Sequence, residues 1–110
     1  MYNRLVKDLL AEISSKDAVI SAEHKKYEVS DSFSSIELYV SADSVSFKVF
    51  GDAYMTAMVK WLQIKLQAKE SLDEISLEDL IAMFDLPEVK YRNAIQLMNL
   101  IEKINDRKAS

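Results

Sequence analysis

Cysteine is absent from the 110 residues. That excludes disulfides, thiolate nucleophiles, cluster ligation by thiolate and every cysteine-based zinc site. Glycine and proline each occur once, so there is no glycine-rich loop to cradle a phosphate, and long regular elements with short connections are expected. The single histidine, His24, lies in the charged run Glu23-His24-Lys25-Lys26. With no serine, cysteine or second histidine beside it in a motif, it reads as a surface residue. Basic charge is short as well: 14 Lys and Arg against 18 Asp and Glu leave a net charge of −4, which disfavours a nucleic-acid partner. No apolar run reaches the length of a membrane span. Arg4, Lys7 and Asp8 interrupt the first apolar residues, where a signal peptide would carry its apolar core. A cytoplasmic protein without a membrane partner is the default expectation.

What is present suits one soluble domain covering 1–110, with 49% hydrophobic and 29% charged residues. The chain is organised around Val45-Ser46-Phe47-Lys48-Val49-Phe50-Gly51-Asp52 and the apolar run that follows. Val45, Phe47 and Val49 alternate with polar residues, the period of a half-buried strand. Gly51 ends it where a turn free of any Cβ penalty is useful. Beyond it Met55, Met58, Leu62 and Leu66 form one helical stripe and Tyr54, Ala57, Trp61 and Ile64 another. Only Thr56, Lys60, Gln63 and Gln67 form a polar strip. A helix apolar on most sides is buried on most sides, so this is the expected central helix.

Upstream, Tyr2, Leu5, Val6, Leu9 and Ile13 have helical spacing, closed by Ser14-Ser15-Lys16-Asp17. Val19 and Ile20, then Tyr27 and Val29, read as one strand or two, followed by the turn Ser30-Asp31-Ser32. Ile36, Leu38 and Val40 alternate as a strand, paired through Ser41-Ala42-Asp43-Ser44 in an antiparallel hairpin with the Val45 strand. Downstream, Ser71-Leu72-Asp73-Glu74 and Ser76-Leu77-Glu78-Asp79 both have the form of capping boxes. Pro87 suits the first turn of a last helix burying Ala94, Leu97, Met98, Ile101 and Ile104, and the tail from Asn105 is polar. The fold class is α+β, a small antiparallel sheet of about three strands packed against helices.

Most chemistry-bearing residues have a plainer use. Asp52 is a candidate base or metal ligand, but it stands where the central helix needs an N-cap. Asp31 is a turn former. The acidic run from Asp73 to Asp85 lacks calcium-loop spacing, and the methionines lie on apolar faces. No nucleophile–base pair is visible, so an enzyme is not expected.

The order of short motifs across 36–104 resembles the iron–sulfur scaffold family of IscU, SufU and the N-terminal part of NifU, whose fold the sulfur-acceptor family SufE shares. Phe50-Gly51-Asp52 stands where the scaffolds have phenylalanine, glycine and cysteine. Lys69-Glu70-Ser71-Leu72-Asp73-Glu74 is similar to their next helix start. Leu86-Pro87-Glu88-Val89-Lys90-Tyr91-Arg92-Asn93 is similar to the leucine–proline–proline–valine–lysine segment and the ligand pair that follows it. The resemblance implies a SufE/NifU-like fold. The scaffolds' ligand positions fall on Ser30 or Asp31, Asp52, Arg92 and Asn93, none a cysteine, so sulfur acceptance and cluster binding are lost and no cofactor is expected.

What the resemblance leaves is a non-catalytic relative acting through protein–protein contacts in iron–sulfur cluster assembly. A cysteine desulfurase, a cluster scaffold or a chaperone are the partners it implies. The expected surface is the former ligand end, Asp31, Asp52, Arg92 and Asn93, with Asp52 and Arg92 paired across it. Beside it lies the partner-binding segment Leu86, Pro87, Glu88, Val89 and Lys90, which the scaffolds present to a dedicated chaperone. Two alternatives stand beside this reading: a carboxylate-based metal-binding protein using Asp31, Asp52 and His24, and a structural or homo-oligomeric domain unrelated to the pathway.

Overall fold

Alternation in the sequence becomes a three-stranded antiparallel meander. The strands are β1 (Lys25–Ser30), β2 (Ser35–Val40) and β3 (Val45–Phe50), in that spatial order. The structure is a computed structural model that describes residues 3–109, with side chains described for 3–105. Around the sheet are helices α1 (Arg4–Glu12), α2 (Ala53–Gln67), α3 (Leu77–Met83) and α4 (Tyr91–Ala109), with short 3-10 turns at Ser15–Ala18 and Glu88–Lys90.

Register puts all the apolar alternates on one face: Val29 opposite Ile36 opposite Val49, Tyr27 opposite Leu38 opposite Phe47, and Val40 opposite Val45. Lys26, Glu28, Glu37, Tyr39 and Lys48 take the other face. Helix α2 is the central element, with Met55, Ala57, Met58, Val59 and Leu62 wholly buried. It packs on α1, β3 and α4. Phe84, also wholly buried, meets Trp61 edge to face, with ring centroids 6.0 Å apart. Helix α4 closes the core with Ala94, Leu97, Leu100, Ile101 and Ile104. This is the expected α+β class.

Several local expectations are corrected. Val19 and Ile20 form no strand; they follow the 3-10 turn, and β1 begins only at Lys25. Ser76–Asp79 makes a capping box, with the two residues exchanging hydrogen bonds of 3.1 and 3.2 Å. Ser71 starts no helix and only accepts from the Asp73 backbone N–H, because α3 already has its start five residues later. Helix α4 runs past Asn105 to Ala109. Tyr2 and Ser110 lie outside the described residues.

Gly51 is needed for space and not for backbone freedom, since its φ is not positive. A Cβ there would lie 3.2 Å from Ser34 Cβ and 3.4 Å from Met55 Cβ. The left-handed positions are instead Lys69 (φ 59°) and Asp85 (φ 49°). Each sits just past a helix in a Schellman closure. Glu70 N–H reaches Lys65 O and Lys69 N–H reaches Leu66 O after α2; Leu86 N–H reaches Ile81 O and Asp85 N–H reaches Ala82 O after α3. Left-handed backbone costs a residue with a Cβ about 1–2 kcal/mol. Lys69→Gly is therefore expected to raise stability by about 1 kcal/mol, read as a higher urea midpoint, the gain trimmed by loss of the Lys69 Nζ bond to Ala42 O.

Candidate functional site

The end of the sheet where β1 turns into β2 and β3 runs into α2 gathers most of the singled-out residues. Asp52 is the N-cap of α2: its Oδ1 accepts the Met55 backbone N–H at 2.9 Å. The same oxygen accepts from Asn93 Nδ2 at 3.0 Å, and Oδ2 pairs with Lys90 Nζ at 2.7 Å. The cap, the ion pair and the amide contact thus tie α2 to the start of α4. Burial works against the Asp52 charge. The Lys90 ammonium, the Met55 N–H and the Asn93 amide outweigh it and hold the carboxyl below its ordinary range.

Arg92 is not the partner of Asp52. Its guanidinium lies 3.7 Å from the centroid of the Phe33 ring, a cation–π contact. Because α4 begins at Tyr91, Arg92 and the inward-facing Asn93 are consecutive helical residues, and the two side chains leave on different sides of the helix. The cation that meets Asp52 is Lys90, two residues earlier, in the 3-10 turn. Asp31 is a turn former as expected: its Oδ1 accepts from Phe33 N–H at 2.8 Å and Ser34 N–H at 2.9 Å. Those two N–H groups, aided by the Arg92 charge, lower its pKa. Ser34 in turn donates to Gln96 Oε1 at 2.6 Å, both side chains being buried. Asp31, Asp52, Arg92 and Asn93 therefore do share one end of the molecule, joined through Phe33, Ser34 and Gln96.

The neighbouring segment divides. Leu86 belongs to the core and Lys90 is committed to Asp52, whereas Pro87, Glu88 and Val89 face outward, Val89 being 75% exposed. Phe50 and Phe33 are also open, at 79% and 65% exposure. Two phenylalanines and a valine, exposed in the segments that flank the polar cluster, give this end the apolar surface associated with binding.

His24 is elsewhere. It is half-buried, not a freely solvated residue: Nδ1 accepts the Ser21 backbone N–H at 2.9 Å and Nε2 contacts Ser44 Oγ at 2.8 Å. Ser44 is in the β2–β3 turn, so His24 is about a strand length, about 17–20 Å, from Asp31 and Asp52. The three do not converge as ligands. Among the described residues no three His, Cys, Asp or Glu side chains gather as a cation site. The Ser44–His24 contact borders a cleft of about 520 Å³ also lined by Asp17 and Gln63. It has the spacing of a nucleophile and its base. However, with Nδ1 accepting from Ser21, the neutral ring carries its proton on Nε2 and donates to Ser44, so it cannot take the Ser44 proton.

One cluster was missed by sequence reasoning. Lys60 and Gln63, the middle of the α2 polar strip, are buried, as is Asp17. Lys60 Nζ meets Asp17 Oδ2 at 3.0 Å and Gln63 Oε1 at 2.8 Å. Gln63 Nε2 donates to Asp17 Oδ1 and to Val45 O, both at 2.8 Å. Burial opposes the Asp17 charge, but Gln63 and Lys60 outweigh it and its pKa is lowered. The signal available was a polar strip on a helix with no solvent side left to put it on.

No family model matches the chain, and no curated protein matches it. The fold and this geometry define a small α+β domain whose polar end is closed by its own side chains.

Proposed function

We propose that the chain is a cysteine-free, non-catalytic relative of the iron–sulfur scaffold and sulfur-acceptor proteins, and that it works by binding other proteins through the Asp52 end. The observation that supports this reading is the way that end is filled. Where a ligand set would offer open lone pairs, Asp52 spends both oxygens on Met55, Asn93 and Lys90. What remains on offer to a partner is the apolar rim, Phe33, Phe50 and Val89. The two rim phenylalanines can bury a large apolar area on contact. Expected partners are a cysteine desulfurase, a cluster scaffold or a chaperone of that pathway. A chaperone reading residues 86–90 of the folded domain would meet Pro87, Glu88 and Val89, because Leu86 is inside.

The test is capture from the native cell extract with the domain as bait, beside Phe50→Ser/Val89→Ser and a surface control, Lys48→Ser. Recovery of one of those three partner classes is expected, with at least a tenfold drop for the double variant and none for the control. Recovery that ignores the double variant, or only unrelated proteins, would remove the iron–sulfur reading.

A further inference from the structure

The two edges of the sheet are treated differently. Along β3, the Val45 carbonyl is taken by Gln63 Nε2, and the segment after α1 lies against the strand, Ser46 Oγ reaching Val19 O at 2.5 Å. Among the described residues, the backbone groups along the outer edge of β1 have one such partner, from α4. Asp31 N–H donates to Ser34 O at 2.9 Å across the turn. Stepping back along the register, Val29–Ile36, Tyr27–Leu38 and Lys25–Val40 are then the pairs that exchange bonds. Lys26, Glu28 and Ser30 therefore direct their N–H and C=O groups away from β2. The Glu28 carbonyl does point outward: Lys103 Nζ of α4 donates to it at 2.7 Å.

Beside this edge runs a groove of about 480 Å³, with Val29, Ser30 and Asp31 on one wall and Arg92, Ile95, Gln96, Asn99, Glu102 and Lys103 of α4 on the other. Ile95 is half exposed in it. An open strand edge facing a helix across a groove has the shape that takes one extended chain, with main-chain hydrogen bonds on the strand side and side chains toward the helix. The charges select among such chains. Neither Arg92 nor Lys103 has a carboxylate within 4.0 Å among the described residues; of the two carboxylates in the lining, Asp31 is engaged with two backbone N–H groups, which leaves Glu102 alone against the two cations. When a peptide N–H takes the Glu28 carbonyl, the displaced Lys103 ammonium needs an anion.

We propose that the β1–α4 groove binds an extended acidic segment of a partner protein as a fourth strand. Its backbone pairs with Lys26, Glu28 and Ser30, its apolar side chains alternate onto Ile95, and its carboxylates meet Lys103 and Arg92. This surface adjoins the Phe33, Phe50 and Val89 rim at Arg92, which stacks on Phe33, but it does not depend on the iron–sulfur reading.

The experiment is an amide NMR titration of the whole chain with a capped heptapeptide alternating valine and glutamate, up to about 1 mM. Expected are shifts at Lys26, Glu28, Ser30 and the 92–103 face of α4. Glu28→Pro removes an outward N–H without touching the β1–β2 ladder, a substitution edge strands tolerate, and should weaken binding at least tenfold. Methylating the peptide nitrogens that face β1 should do the same to the unmodified protein, which covers the case in which the proline variant misfolds. Lys103→Gln should weaken it several-fold, more at low salt than at high. Absence of shifts at 1 mM, binding indifferent to both backbone blocks, or shifts confined to Phe33, Phe50 and Val89 would overturn the proposal. So would concentration-dependent shifts at the same edge without peptide, which would give the edge to a second copy of the chain.

Discussion

Asp17→Ala is expected to lose about 3–5 kcal/mol of stability, out of a total of about 5–15 kcal/mol for a domain of this size. At about 4 °C or more per kcal/mol, the thermal midpoint should fall by at least about 12 °C. The reason is the geometry beneath Lys60. Its ammonium, itself buried, has Asp17 Oδ2 at 3.0 Å and Gln63 Oε1 at 2.8 Å, so removing Asp17 leaves a charge inside with only an amide to meet it. Gln63 loses one acceptor in the same step. The double variant Asp17→Leu/Lys60→Met should recover more than half of the loss, because it removes both charges together. Equal loss in the single and double variants would show that the packing of the 3-10 turn, and not the buried charge, carries the effect. In the native protein the Asp17 contribution is present above about pH 4, the ordinary carboxylate value. It is lost as pH falls through the lowered folded-state value. The alanine variant should have a correspondingly flatter stability profile in acid.

That cluster also marks where sequence reasoning ended. Alternation in Ile36–Leu38–Val40 and Val45–Phe47–Val49 sufficed for the hairpin, and it appears in the register as one apolar face. The wrapped apolar pattern of 53–67 sufficed for a central helix, because a chain with so little polar surface there has nowhere else to put it. Capping chemistry at Asp52 and Ser76 was local and therefore readable. Long-range polar pairing was not. Asp17 and Lys60 are 43 residues apart, and neither has a local pattern that announces the other. The same holds at the candidate site. Lys90 and Arg92 are two residues apart in sequence, and only the phase of the 3-10 turn entering α4 decides which reaches Asp52 and which lies on Phe33. The open edge of β1 was hidden for a third reason: an edge is defined by what fails to cover it, and that depends on where α4 comes to rest.

Asp52→Ala is expected to cost about 2–4 kcal/mol. The N-cap contributes about 1 kcal/mol. An unpaired, buried Asn93 amide costs a further 1–3 kcal/mol or so. The Lys90 pair, with both side chains about a third exposed, adds at most about 1 kcal/mol, and the three share one side chain, so they do not simply add. Asp52→Asn separates them. Both the cap and the Asn93 contact use Oδ1, which asparagine keeps, while only Oδ2 faces Lys90. The asparagine variant should thus lose only about 1 kcal/mol or less. It should also lose part of the native decline in stability below about pH 4, since the lowered Asp52 carboxyl stabilises the fold above that pH and ceases to as it protonates. Urea midpoints of the three proteins at pH 7 and pH 3 decide the matter, and alanine and asparagine variants of equal stability would refute this division of labour. The same pair bears on function. If the Asp52 end binds partners through its apolar rim, Asp52→Asn, with cap and core intact, should capture them as the native chain does. Loss of capture in a stable asparagine variant would mean that the carboxylate itself is read by the partner.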